Sequence, residues 1–186
     1  MTRYFEPSRP VPPDHRGVSK EEGRRQFDLP WKAPVIAFFG ALAGARSLNE
    51  FAVDTYGKEG PAVLHISGER DYERLRGRVH RDDYVLVPST DEFGAALAAP
   101  DLAISRAGGT VWELAASGTP AILVPYPHAT ADHQTLNARY FERGGGAVVV
   151  PEPELGRVPA LVEKLLADPA RLESMSEAMR SMARPR

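Results

Sequence analysis

Apolar residues along the chain follow two spacings. Short runs rich in β-branched or aromatic side chains occur at Val35 to Phe39, Ala62 to Ser67, Tyr84 to Val87, Leu102 to Ser105, Ala121 to Val124 and Ala147 to Val150. Between them lie Ala45 to Tyr56, Glu69 to Arg76, Asp91 to Ala98, Thr110 to Ser117 and Asp132 to Arg143, where apolar residues recur every three to four positions, the period of a helix with one buried face. The alternation predicts a βαβ unit repeated five times. Several runs are apolar on successive residues, as in Ala121-Ile122-Leu123-Val124, which is how strands covered on both faces read. The expected fold is α/β, a Rossmann-like six-stranded parallel sheet with helices on both faces.

Punctuation supports these boundaries. Ser117-Gly118-Thr119-Pro120 carries a helix-ending glycine followed by proline, and Arg143-Gly144-Gly145-Gly146 repeats the arrangement before the last strand. Residues 1–30 are Pro-rich and read as an interdomain linker with a short leading helix over Ser19 to Phe27, where Ser19 and Glu22 have capping-box spacing. Residues 31–186 read as the domain proper. From Leu155 to Met182 two helical segments flank Asp168-Pro169, and Met175, Met179 and Met182 fall at helical spacing as core filler.

Composition narrows the picture. The chain has 186 residues, 42% of them hydrophobic, which suffices for a sizeable core. A formal charge of −2 argues against a sequence-wide grip on nucleic acid, and no nucleic-acid partner is expected. With no cysteine there is neither a disulfide framework nor a thiolate metal site, which suits a reducing cytoplasm. No apolar run approaches the roughly 20 residues of a spanning helix.

In an open parallel sheet, ligands bind beyond the carboxyl ends of the strands where strand order reverses, so the strand-to-helix loops carry the candidate chemistry. The first, Phe39 to Arg46, contains Gly40 and Gly44. It reads either as a structural turn or as a place where backbone approaches a diphosphate. Its spacing is neither Gly-x-Gly-x-x-Gly nor a P-loop, which weakens NAD and ATP readings, and no cofactor is expected. The second runs Ser105-Arg106-Ala107-Gly108-Gly109-Thr110-Val111-Trp112-Glu113. Its glycines free backbone amides, Thr110 caps the helix or binds an oxygen, and Glu113 serves either the helix dipole or the vicinal hydroxyls of a ribose. The third, Val124 to Gln134 and on to Asn137, gathers His128, Asp132, His133, Gln134 and Asn137. Such a set of donors and acceptors suits a sugar, a solvated loop is the bland alternative, and a metal on His128, Asp132 and His133 is a rival whose spacing matches no recognised zinc pattern.

Taken together, Ser105 to Ala115, Gly118 to Pro125 and Asp132 to Ala138 resemble the donor-binding domain of the MurG-like glycosyltransferases, GT-B enzymes that use UDP-N-acetylglucosamine. Weaker echoes at Gly40 to Asn49 and around Pro10-Val11 extend the similarity. The resemblance implies that the Gly109 to Glu113 turn receives diphosphate and ribose, with Glu113 on the ribose hydroxyls. It implies that His133 and Gln134 approach the sugar, that uracil is read by backbone near Ser89 and Thr90, and that no metal is needed. The donor-binding set it implies is Gly40, Gly44, Thr90, Arg106, Gly108, Gly109, Thr110, Glu113, His133, Gln134 and Asn137.

The sequence also departs from that family. The family's first loop reads Gly-Gly-Ser-x-Gly-Ala, whereas Ala41 and Leu42 stand here, and Leu42 cannot donate the serine's hydrogen bond. The family's Arg-bearing linker becomes Pro7-Ser8-Arg9-Pro10-Val11-Pro12, and one residue fewer separates the second loop's glycine from Thr110. The resemblance implies an acceptor domain outside this sequence that binds the lipid-linked substrate and supplies the catalytic base, so no catalytic residue is expected in this chain. The chain then reads as an excised domain or a natural split enzyme that meets its acceptor half as a partner, with peripheral contact at the inner face of the cell membrane made through that half. A UDP-N-acetylglucosamine 2-epimerase-like half and a non-catalytic nucleotide-sugar-binding module are the alternatives.

Overall fold

The computed structural model describes residues 17–40, 45–129 and 132–183. Six strands, β1 (Val35–Phe39), β2 (Ala62–Ile66), β3 (Tyr84–Val87), β4 (Leu102–Ser105), β5 (Ala121–Leu123) and β6 (Ala147–Val149), form one sheet. All pairs are parallel and the order is β3-β2-β1-β4-β5-β6. The connecting helices are α2 (Arg46–Tyr56), α3 (Glu69–Arg76), α4 (Phe93–Ala98), α5 (Thr110–Ser117) and α6 (His133–Arg143). A leading helix α1 (Lys20–Gln26) precedes them, and α7 (Val158–Leu166) and α8 (Pro169–Met182) come after. The expected Rossmann-like sheet with helices on both faces is the observed one.

Strand periodicity divides the core in two. Ile36, Phe38, Val63, Leu102, Ile104 and Ile122 point to the face covered by α2, α3 and α7. Val35, Ala37, Leu64, Ala103, Ala121 and Ala147 point to the face covered by α4, α5 and α6. On this second face Ala37, Ala103, Ala121 and Ala147 stand in register across four adjacent strands. A row of methyl groups leaves depth that the helices fill with Leu97, Trp112, Leu114 and Phe141, all buried, as close packing requires. Trp112 packs edge-on against Phe141 with centroids 4.9 Å apart.

Most boundaries fall within a residue of the sequence reading, and the differences have local causes. The α4 helix starts at Phe93 rather than Asp91, because Glu92 is non-helical (φ −90°, ψ 48°) and its amide donates to Thr90 Oγ1. The segment expected to be helical from Leu155 instead begins as a 3-10 turn over Glu152–Arg157. Gly118 ends α5 in the left-handed region as expected, with φ 71°. After α6 that conformation belongs to Gly145 (φ 86°), while Gly144 stays at φ −74°. Met175 and Met179 are fully buried and Met182 is half-buried, and the packing of Met179 and Met182 against Gly146 and Gly144 leaves no room for a Cβ there.

The capping box of α1 forms as expected: Glu22 N donates to Ser19 Oγ and Ser19 N donates to a Glu22 carboxylate oxygen. This helix is stitched to the sheet. Arg24 is buried, donates to the carbonyls of Ala99, Trp31 and Ala33, and pairs with Asp101 at 2.8 Å. Burial works to raise the Asp101 pKa. The hydrogen bonds from Lys20 and the Val35 amide, with the charges of Lys20 and Arg24, outweigh that and hold the carboxyl below its usual range. Gly23 lies so close to α4 that a Cβ would meet Ala95 O at 2.5 Å and Ala99 N at 2.9 Å. The Pro-rich stretch before Gly17 lies outside the described residues.

Two substitutions measure what this helix contributes. Replacing Arg24 with Met strips Asp101 of a buried partner and is expected to destabilise the domain by about 2–4 kcal/mol in urea unfolding. Gly23→Ala overpacks the α1–α4 contact and is expected to cost about 1–3 kcal/mol. If both variants unfold with wild-type midpoints, α1 is a tethered segment rather than part of the cooperative unit.

Candidate functional site

Strand order reverses between β1 and β4. The chain leaves β1 for α2 on one face and leaves β4 for α5 on the other, so the two loops diverge and open a crevice at the carboxyl edge. Arg106 N donates to Phe39 O, which sets Gly40 and the β4 exit side by side. Gly40 must be glycine, since a Cβ would run into the Ala45 side chain. Gly44, with Ala41 and Leu42, lies outside the described residues.

The turn after β4 is the most open element. Gly109 is right-handed (φ −56°, ψ −31°), and a Cβ on it would meet nothing within 4 Å. Neither conformation nor packing demands glycine there. Val111 N and Trp112 N donate to the carbonyls of Gly108 and Gly109. Among the described residues no hydrogen bond reaches the backbone N–H groups of Gly108, Gly109 or Thr110. Three successive amides at the start of α5 make a concavity of partial positive charge. The expected Thr110 side-chain cap is not formed, because Gly109 holds the capping position and no side-chain bond is made. Glu113 lies in the first turn of α5 and is half-buried.

The third loop is docked onto this turn by two side chains. Gln134 Oε1 accepts from Ala107 N (3.2 Å) and Tyr126 N (2.9 Å). Since both partners are donors, the amide nitrogen is the end left over, and it lies 3.6 Å from where a Gly108 Cβ would stand. Gln134 therefore presents a donor beside the glycine turn. Asn137 Nδ2 donates to Ala107 O at 3.0 Å. His133, the first residue of α6, is half-buried beside Gln134, and Asp132 before it adopts left-handed φ 56°. Thr90 sits apart, on the loop leaving the edge strand β3, with its hydroxyl engaged by Glu92 N. Its loop nonetheless returns to the crevice, for Phe93 packs edge-on against Phe39 at 5.9 Å. Among the described residues no group of three His, Cys, Asp or Glu could hold a metal, and no helix is long and apolar enough to cross a membrane.

Arg106 and residues that sequence reasoning passed over organise the rim. Arg106, expected at the donor, is buried and paired with Glu152. Asn49, His65, Tyr84 and Asp71 form a buried polar chain next to Gly40. Asn49 Nδ2 donates to Ser67 O and Asp71 Oδ2, so its Oδ1 faces His65 Nε2 at 2.8 Å. An oxygen there accepts only, which puts the imidazole hydrogen on Nε2 and leaves Nδ1 to accept from Tyr84 Oη at 2.7 Å. Asp71 in turn gathers Arg46, Arg70 and Arg74. Alternate polar positions inside an otherwise apolar strand, as at His65, were the available signal.

Comparison with known proteins places this geometry. Residues 35–185 match the Glycosyltransferase family 28 C-terminal domain, and the chain belongs to that family. A UDP-N-acetylglucosamine--N-acetylmuramyl-(pentapeptide) pyrophosphoryl-undecaprenol N-acetylglucosamine transferase of Halorhodospira halophila is 41% identical over 162 residues, 82% of this chain and 45% of that protein. The same-named protein of Desulforudis audaxviator is 37% identical over 95% of this chain and 52% of its own length. The crystal structure of Acinetobacter baumannii MurG superposes with a TM-score of 0.73 at 25% identity, covering 92% of this chain and 51% of that one. The chain thus spans about half the length of the curated relatives it matches.

The buried imidazole makes a pH prediction. Burial pushes the His65 pKa down to about 3, against a smaller raising effect of the Asp71 charge. The unfolded chain takes up this proton near pH 6.5 and the folded one does not, so stability is full above about 6.5 and falls as pH drops toward 3. Between pH 6.5 and 5, chemical denaturation should show a loss approaching about 1.4 kcal/mol per pH unit, and His65→Gln should flatten that slope. An unchanged slope in the variant would refute the neutral assignment.

Proposed function

We propose that the chain is the UDP-N-acetylglucosamine-binding half of an inverting hexosyltransferase that completes lipid II in peptidoglycan synthesis. The observation that carries this reading is the open Gly108-Gly109-Thr110 turn. Its three amides have no hydrogen-bond partner among the described residues, its Gly109 has no internal reason to be glycine, and Glu113 stands one turn further along α5. A diphosphate satisfies those amides, a ribose offers its vicinal hydroxyls to Glu113, and the amide nitrogen of Gln134 with His133 and Asn137 faces the sugar. Gly40 lines the same crevice, Gly44 belongs to its loop, and the Thr90 loop reads the base through its backbone.

The acceptor hydroxyl, deprotonated by a base from the other half of the enzyme, attacks the anomeric carbon as the bond to UDP breaks, with inversion. The α5 amides stabilise the negative charge that grows on the leaving diphosphate, a preorganised electrostatic role. No side chain of this half is assigned as the base, and no metal or cofactor enters the scheme. The relatives' names supply the acceptor, a lipid-linked N-acetylmuramyl-pentapeptide, which the acceptor half takes from the inner face of the membrane.

Calorimetric titration of UDP-N-acetylglucosamine tests the site. Glu113→Ala is expected to weaken binding about tenfold to a hundredfold, the loss of a two-hydrogen-bond contact to a charged group. Gly109→Ala is expected to weaken it similarly while leaving urea stability within about 1 kcal/mol. Absence of saturable binding by the wild type, or retention of affinity in both variants, would defeat the donor-site reading. Transfer catalysed by this chain alone would defeat the assignment of the base to the other half.

A further inference from the structure

The resemblance counts Arg106, two residues before Gly108, in the donor-binding set. Its observed environment lies elsewhere. Arg106 is 1% exposed, and it makes several contacts on the side away from the turn. It pairs with Glu152 at the start of the 3-10 turn, donates to Ser47 Oγ at 2.9 Å in the first turn of α2, and donates to Val124 O at 3.3 Å at the end of β5. Its guanidinium carbon also stands 5.4 Å from the centre of the Tyr126 ring, a cation–π contact. Ser47 closes the circuit by donating to the other Glu152 oxygen. Ala107, the next residue, joins the cluster under α5 and α6, on the side where Gln134 and Asn137 dock. The strand alternation at the β4 exit thus sends the arginine to the α2 side and the ligand turn to the other.

Four chain segments meet at this one ion pair. Ser47 belongs to the helix after the first loop, Arg106 precedes the second, Tyr126 lies in the third, and Glu152 fixes all of them to the chain after β6. Burial works to raise the Glu152 pKa. Hydrogen bonds from Arg106 and Ser47, with the charges of Arg106 and His128, outweigh it and hold the carboxyl below its usual range.

We propose that Arg106 is a positioning residue for the donor site: paired with Glu152, it clasps Ser47 and Tyr126 and so holds the three ligand loops in one relative geometry without touching the donor. The proposal rests on the donor-site reading above for its functional consequence, and its structural content is separable. Among the described residues Glu152 hydrogen-bonds to the loops through Arg106 and Ser47, which makes the two possible roles of Arg106 differ in sign. If Arg106 bound phosphate directly, neutralising Glu152 would release it and strengthen binding. In a clasp, neutralising Glu152 loosens the loops and weakens binding.

The experiment is a double-mutant cycle on the 186-residue chain with Glu152→Gln and Arg106→Lys, read by calorimetric titration of UDP-N-acetylglucosamine and by amide hydrogen exchange. Each single variant is expected to lose about tenfold in affinity, and the double variant to lose no more than either, the signature of groups that act as one unit. Exchange should rise in both the Ser47–Asn49 and the Tyr126 segments of Glu152→Gln. Ser47→Ala, which removes one arm and keeps the pair, should lose about twofold to threefold and guards against loss of folding in the others. Unchanged or tighter binding in Glu152→Gln beside weaker binding in Arg106→Lys would overturn the clasp in favour of direct contact. Additive losses, or exchange changes confined to the neighbourhood of Glu152, would overturn it as well. A wild type that fails to bind while exchange rises in both segments would sink the donor reading and leave the clasp standing.

Discussion

The handedness of the parallel crossover is the constraint on which the rest of the molecule depends. Each β-α-β passage must turn right-handed, so building outward from β1 through α2 and α3 to β3 puts those helices on one face. Returning through α4 to pair β4 on the other side of β1 puts α4, α5 and α6 on the opposite face. The reversal leaves two adjacent strands whose exits diverge, and a crevice opens there because no connection can close it. The alanine row across β1, β4, β5 and β6 belongs to the same logic. It lets the helices that start at the crevice lie close to the sheet, so the first turn of α5 is fixed by Trp112 and Leu114 below while its amides stay open above.

Periodicity made the sheet and its helices legible because burial on both faces writes itself into runs such as Ala121-Ile122-Leu123, and an amphipathic stretch such as Glu69 to Arg76 cannot be read as a strand. Glycine chemistry made the Gly108-Gly109 turn legible, since that spacing at a strand exit has few uses. Termini of elements were less legible where a side chain competed with the helix, as Thr90 does at the amide of Glu92. The 3-10 turn over Glu152–Arg157 escaped notice because Leu155 fits the helical period of α7.

Partners distant in sequence stayed hidden for a plain reason: a single charge carries no information about which charge it will meet. Ser47 and Glu152 are 105 positions apart, Arg24 and Asp101 77, Arg106 and Glu152 46. Only the topology brings them together, the second pair by setting β1 beside β4 and the first and third by bringing the chain after β6 back to the strand exits. Arg106 therefore read as a ligand residue from its position and proved to be buried against the opposite face. His65 read as part of an apolar strand and proved to organise Asn49, an oxygen of which stands 3.6 Å from a would-be Gly40 Cβ.

These polar clusters also decide which groups can act on an anion at the crevice. The guanidinium nearest the glycine turn is neutralised by Glu152 and buried, so it contributes little net field there. The other cations, Arg46 and Arg70, share the single buried carboxylate of Asp71 with Arg74 and keep about half or more of their side chains in water. Exposed charges of that kind are screened over about 8–10 Å at physiological salt, which suits them to steering an anion toward the rim rather than to gripping it. The amides of Gly108, Gly109 and Thr110 are fixed by the helix they begin and cost no reorganisation when a charge develops beside them. Under the donor-site reading proposed above, hold on a diphosphate falls to the backbone turn, and the side chains around it serve to keep that turn in place.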